Sequence, residues 1–249
     1  MLNDLLLLSG NDIPFEKART VIHQPTIKEI AYIGEECFFA GCDFLKFSKN
    51  KLSEQDKVHL EHMTNFDIIM SIMMAKEVEV QKSKVQAFMV LSLLFPRYSI
   101  NLEQRAIAFQ DEENINNFKI DNENFENFKE ILDEMFCLKL DGADGGAYNA
   151  QDPLSKKIAE KFERRRQMLS EKKGAQQQSN KVAILSRYVS ILAVGQKKDI
   201  NQLLNYTVYQ LFDEFNRFEL KSSYDIYLQA KMAGAQDLKE VEDWMKDIH

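Results

Sequence analysis

Only nine glycines and four prolines interrupt 249 residues, against usual shares of about 7% and 5%. Little in such a chain stops a helix once it has started, and 17 Phe and 10 Met supply apolar bulk suited to helix faces. The punctuation is also unevenly spread. Gly142, Gly145 and Gly146 fall together in Asp141 to Asp152, which has no apolar periodicity and reads as an exposed connection. The expectation is a mainly α (α+β) protein in three parts. Residues 1–140 form an N-terminal α+β domain with a small β-hairpin, 141–152 a flexible linker, and 153–249 an all-helical C-terminal domain that packs back on the first.

Apolar residues make up 45% of the chain, enough to fill a core and to exclude intrinsic disorder. A net charge of −7 argues against unspecific attraction to nucleic acid or an anionic membrane. Three cysteines, with Cys37 and Cys42 close and Cys137 distant, do not make a secreted disulfide framework. The apolar runs Leu5–Leu8 and Ala87–Phe95 are far short of the roughly 20 residues a membrane span needs. A cytoplasmic protein without a membrane partner is expected.

Along the chain, Leu5–Leu8 and a second run from Arg19 to His23 flank the turn cluster Ser9–Asp12 and read as a hairpin. Thr26 with Glu29 is a capping box opening a helix over 27–40 that Gly41 ends, with a close packing contact at the interior Gly34. Ser53 with Asp56, Asn65 and Ser83 read as further caps, the last helix stopping before Pro96. Ile107–Phe109 and Phe118–Ile120 suggest a second hairpin. Asn122 or Asn124 opens a helix whose Phe125, Phe128, Ile131, Leu132, Met135 and Phe136 share one face. Beyond the connection, a basic helix spans 156–173. It is followed by helices over 182–194 with Gly195 as C-cap, over 200–204, from Thr207 to Phe218, from Ser222 or Ser223 to Gly234, and over 237–248.

Chemistry-bearing patterns are thin. His59 and His62 stand at i, i+3, one residue short of the HExxH zinc spacing, with no third ligand in sight. No nucleophile elbow, Walker loop or Gly-x-Gly-x-x-Gly appears, and paired acids such as Glu112–Glu113 and Asp133–Glu134 sit in charged runs. No catalytic residue, metal or cofactor is expected, and the protein reads as a non-enzyme.

Charge and aromatic placement say more. Residues 103–144 carry twelve acids and four bases, whereas residues 153–181 carry nine bases and three acids. Arg164, Arg165 and Arg166 on the basic helix suit an acidic protein surface, including that of a second copy in a homo-oligomer. RNA or DNA is the lesser reading, because only Phe162 is there to stack on bases. Tyr206, Tyr209, Phe212, Phe215 and Phe218 recur at intervals of three. That spacing suits a groove for an apolar partner helix as well as it suits burial.

Three further groups of residues bear a likeness to a known family. They are Leu8-Ser9-Gly10-Asn11-Asp12; His23-Gln24-Pro25-Thr26-Ile27-Lys28-Glu29-Ile30 with Ile33-Gly34-Glu35; and Thr207-Val208-Tyr209-Gln210-Leu211 with Arg217 and Ala230–Gly234. The sequence resembles the tail assembly chaperones encoded by long-tailed phages and prophages of Gram-positive bacteria. That resemblance implies a non-enzymatic factor of the host bacterial cytoplasm. It would coat the tape measure protein, help tail tube subunits polymerise around it, and be absent from the finished virion. Such chaperones are often shorter, which keeps a structural tail or neck component as the alternative.

Overall fold

A computed structural model describes residues 2–49, 60–113, 115–137, 184–234 and 245. The first element departs from the expected hairpin. Leu5–Leu8 belong to a short helix, α1 (Asp4–Ser9), because Asn3 caps its start by accepting from the Leu5 amide at 2.9 Å. Gly10 closes it at φ +69°, a left-handed conformation suited to glycine. A four-residue apolar run fits a helix or a strand equally, and the caps decide. The two-stranded sheet lies just beyond, with β1 (Ile13–Phe15) antiparallel to β2 (Thr20–Ile22) and Ile13 opposite Ile22.

The Thr26–Glu29 capping box forms as expected and opens α2 (Ile27–Ile33). The single helix expected over 27–40 is broken at Gly34, whose φ of +86° ends α2 and starts α3 (Glu35–Leu45). Gly34 is there for that backbone conformation and not for a close contact, since a Cβ would meet nothing within 4 Å. The close contact is at Gly41, expected to end the helix but lying inside α3. A Cβ on it would stand 2.5 Å from the Gln86 carbonyl oxygen and 2.6 Å from Val90 Cγ2. Two helices meet backbone to backbone at this point.

Thr64, one residue before the expected cap, forms a capping box with Asp67 and opens α4 (Asn65–Met74). Asn65 instead accepts from the Lys49 amide and donates to Glu126. The helix that crosses α3 is α5 (Val78–Leu94), which begins before Ser83 and stops at Phe95, ahead of Pro96. Next comes a three-stranded antiparallel sheet, β3 (Tyr98–Glu103), β4 (Ala106–Asp111) and β5 (Phe118–Ile120). The expected hairpin is its β4–β5 half, pairing Ile107 with Ile120 and Phe109 with Phe118. Helix α6 (Phe125–Met135) follows Asn124 and buries Phe125, Phe128, Ile131, Leu132 and Met135 along the face the periodicity marks.

Three helices complete the described fold: α7 (Ile184–Gln196), α8 (Ile200–Leu204) and α9 (Val208–Met232), the last opened by a Thr207–Gln210 capping box. Gly195 is not a C-cap. It lies within α7, where its Cβ would come 2.3 Å from the Phe218 ring, and Lys197 takes the left-handed conformation after the helix. Nor does a new helix open at Ser222 or Ser223, for α9 runs through both. A continuous helix needs no cap in its interior, and a serine there costs only a few tenths of a kcal/mol relative to alanine (~0.5). The expected caps at Ser53 and Asp56, the connection 141–152, the basic helix 156–173 and, Met245 aside, the helix over 237–248 lie outside the described residues.

Phe95 is the hub of the core. Its ring lies 4.6 Å from Phe109, 5.0 Å from Phe118 and 6.2 Å from Phe128, and Phe128 in turn lies 6.0 Å from Phe15. Each large side chain so buried contributes roughly 1.5–3 kcal/mol. Leu185, Val189, Leu192, Leu203, Val208 and Leu211 join this same cluster from the C-terminal helices. Among the described residues no helix is long and apolar enough to cross a membrane.

Candidate functional site

Most of the residues that carry the family likeness converge in space, while Arg217, paired with Asp213, and Ala230–Gly234 lie further along α9. Gln24, almost wholly buried, donates from Nε2 to the carbonyls of Leu6 (3.2 Å) and Asn11 (2.7 Å) and so ties the end of α1 to the strand that follows. His23 stands between Asp12 (3.0 Å) and Glu29 (3.4 Å). Burial alone would raise the Glu29 carboxyl, but bonds from Thr26 and His23 outweigh it and hold it below its ordinary value.

Across the junction, the Ile27 amide donates to the Tyr206 carbonyl at 2.8 Å and Thr26 bridges Thr207. Gln210 donates to the Leu8 carbonyl at 2.7 Å. Glu35, just past the Gly34 break, accepts from the Leu185 amide at 2.7 Å and the Ser186 amide at 3.4 Å. It thereby caps α7 from another helix, where a carboxylate also suits the helix dipole. These residues form a polar seam that clasps α7–α9 to the N-terminal elements. Their arrangement fits a structural role.

The five aromatic residues expected to form a partner groove are placed as follows. Tyr209 is buried, and burial followed by neighbouring Asp4 pushes its phenol up. Phe212 and Phe215 pack on Tyr188 of α7 at 5.2 Å and 3.7 Å, the latter stacked at 5°. Phe218 lies over Gly195. Tyr206 receives Lys198 both at its hydroxyl, 3.1 Å, and over its ring, 5.4 Å. Burial would lower the Lys198 ammonium, but Glu214 at 2.8 Å and Tyr206 together raise it. Phe212, Phe215 and Phe218 therefore line the α7–α9 contact, whereas Tyr209 faces Asp4 of α1 and Tyr206 meets Lys198 in the connection after α7. Arg164, Arg165 and Arg166 lie outside the described residues.

A surface that sequence reasoning missed lies beside the Gly41 crossing. The end of α2, the first turn of α3 and one face of α5 border a shallow, open groove of about 630 Å³. Its apolar lining is Ile33, Cys37, Val85 and Met89, with Val85 49% and Met89 40% exposed. The Cys37 sulfur lies 3.4 Å from that of Met89. Cys37 and Cys42, five positions apart on α3, differ in burial. Only Cys42 is buried, and its thiol is pushed far up by that burial, whereas Cys37 is half-buried in the groove. Ala87, Val90, Leu91 and Leu94 fill the core face of α5, which leaves Val85 and Met89 at i, i+4 on a second apolar face.

His62 is exposed, and its expected partner His59 lies outside the described residues. Among the described residues no group of three or more His, Cys, Asp and Glu side chains is placed to hold a metal ion.

Residues 175–249 match the family model described as YomV second domain, a phage-derived name. The match takes in α7, α8 and α9, the helices the seam clasps, and covers less than a third of the chain. Neither a curated protein nor a solved structure matches.

Proposed function

We infer that this protein is a non-enzymatic phage morphogenesis factor working in the host bacterial cytoplasm. In this reading it acts as a tail assembly chaperone, holding apolar helical segments of the tape measure protein while tail tube subunits assemble around them. The observation that carries the reading is the match of residues 175–249 to a phage-associated domain. Two further points support it: most of the residues that resemble tail assembly chaperones form the seam holding that domain in place, and apolar and sulfur-bearing side chains on the surface suit transient helix binding.

Co-expression with the tape measure and tail tube proteins of the same gene cluster tests it. The expected outcome is a tape measure protein that stays in the soluble fraction, and co-purifies, only when this chain is present. An equally soluble tape measure protein with no complex refutes the reading. Presence of the chain in purified virions moves it to a structural tail component instead.

A further inference from the structure

We propose that the outer edge of β3 is a self-association surface, at which a second copy of this chain adds its own β3 antiparallel about a two-fold axis through Ile100. Such a dimer is independent of the assembly-factor reading.

The register of the sheet decides which backbone groups are free. Glu103 faces Ala106 across a two-residue turn, while Ile107 and Phe109 of β4 face Ile120 and Phe118 of β5. The bonding groups of a strand alternate from one side to the other. Ala106, Ala108 and Gln110 therefore bond to Glu103, Asn101 and Ser99, and the amides and carbonyls of Ile100 and Leu102 point away from the sheet. Among the described residues nothing accepts from those two amides. The row ends at Tyr98, whose amide donates to the Phe95 carbonyl at 3.1 Å.

Native sheets protect such edges by keeping them short, by lysine or proline, by bulges, or by covering them. The opposite edge follows that rule. Strand β5 has three residues with Lys119 at its centre, and the short helical turn Glu16–Ala18 packs beside it. Strand β3 has six residues, an unbroken register and neither Pro nor Lys within it. Its Tyr98, Ile100 and Leu102 are half-buried, resting on the core from the edge of the sheet.

The residues of the edge say what occupies it. Pairing about Ile100 sets Ile100 against Ile100 of the second copy, Tyr98 against its Leu102 and Ser99 against its Asn101. Apolar side chains then meet apolar ones on the core face, and polar meet polar on the other. Arg97, just ahead of the strand, falls opposite Glu103 at both ends; both side chains are exposed, and neither has an ion-pair partner among the described residues. Opposite charges placed across two strands favour their pairing and like charges oppose it. Moving the axis one residue towards the turn would set Arg97 against Arg105. Moving it one residue the other way would bring Pro96, which has no amide to donate, opposite Leu102. In the register about Ile100, each Ile100 amide donates to the Ile100 carbonyl of the other copy and each Leu102 amide to the other copy's Tyr98 carbonyl. A strand complementary to itself in hydrogen bonding, apolar pattern and charge is what a two-fold interface requires.

The test is sedimentation equilibrium of the full chain over a concentration series, together with amide hydrogen exchange. A monomer–dimer equilibrium is expected in which the Ile100 and Leu102 amides gain protection as concentration rises, while those of Ser99 and Asn101, already bonded to β4, do not. Glu103→Arg and Arg97→Glu, both exposed changes, should each weaken dimerisation roughly fivefold to tenfold. The chain carrying both should dimerise as the unmodified one does.

A chain that stays monomeric to near-millimolar concentration overturns the assignment. So does a dimer indifferent to both charge reversals, or one whose Ile100 and Leu102 amides exchange at the same rate at every concentration, because its contact then lies elsewhere. Protection of those amides that arises only on adding a tail protein gives the edge to a partner's strand and overturns the second copy as its occupant.

Discussion

Among the described residues two pairs of helices approach more closely than side chains ordinarily permit, and each does so at a glycine. At the α3–α5 crossing the obstacle facing Gly41 is a backbone carbonyl, that of Gln86. At the α7–α9 contact the obstacle facing Gly195 is the ring of Phe218. A carbonyl inside a helix cannot move without moving the helix, whereas a ring can turn about two bonds or be replaced by something smaller. The first contact is therefore rigid and the second adjustable, although in the sequence both are an apparently misplaced glycine within a helix.

Gly41→Ala gives the largest expected effect. It should cost about 2–3 kcal/mol in urea-induced unfolding, more than the roughly 1 kcal/mol that alanine gains in helix propensity. Val90→Ala in the same chain should not restore it, because the Gln86 carbonyl stays where it is. Gly195→Ala should cost about 1–2 kcal/mol, and here Phe218→Leu should recover most of the loss. A double-mutant cycle that finds equal rescue at both sites would erase the distinction. Gly34→Ala supplies the control for backbone conformation alone. It meets no atom within 4 Å but must hold φ at +86°, which costs about 1 kcal/mol.

The smallest effect concerns acid. Thr64 holds the Asp67 carboxyl below its ordinary value of 3.8 through its backbone amide, and the Thr26 bonds hold Glu29 below 4.5. A carboxyl lowered in the folded state stabilises the fold above the unfolded value, and that stability disappears as the pH falls through the folded value. Glu29→Gln keeps the capping geometry without the charge. It should flatten the stability curve below about pH 4.5 by less than about 1 kcal/mol, read by urea titration between pH 6 and 3.

How much of this was legible depended on how many independent signals agreed. The buried face of α6 was readable because its apolar positions follow one 3.6-residue period, although its start was left between Asn122 and Asn124 and Phe136 falls just past its end. The Thr26 and Thr207 capping boxes each put a hydroxyl and a Glu or Gln three residues apart. Strand β3 went unread although Tyr98-Ser99-Ile100-Asn101-Leu102-Glu103 alternates strictly, each apolar residue turned inward and each polar one outward. The groove was illegible for a different reason. A helix apolar on two faces gives no sign of which face the core will take, and that was settled by where Gly41 lets α3 cross. The seam was legible only as a likeness, since hydrogen bonds such as Gln210 to Leu8 join residues 202 positions apart.

That separation has a consequence for the order in which the molecule is made. The Thr26–Thr207 bridge and the Ile27–Tyr206 hydrogen bond close a loop of 180 residues. Closing a long loop is entropically costly and slow compared with forming local helices. During synthesis at roughly 5–20 residues per second, residues 26 and 27 wait on the order of ten seconds or more for their partners to be made. The capping box at Thr26 forms from neighbours and holds α2 ready through that interval, while Glu35 keeps an unpaired carboxylate for the first turn of α7. The nascent chain thus carries a preformed half of its last contact, and the emergence of α7 to α9 is the event that completes it.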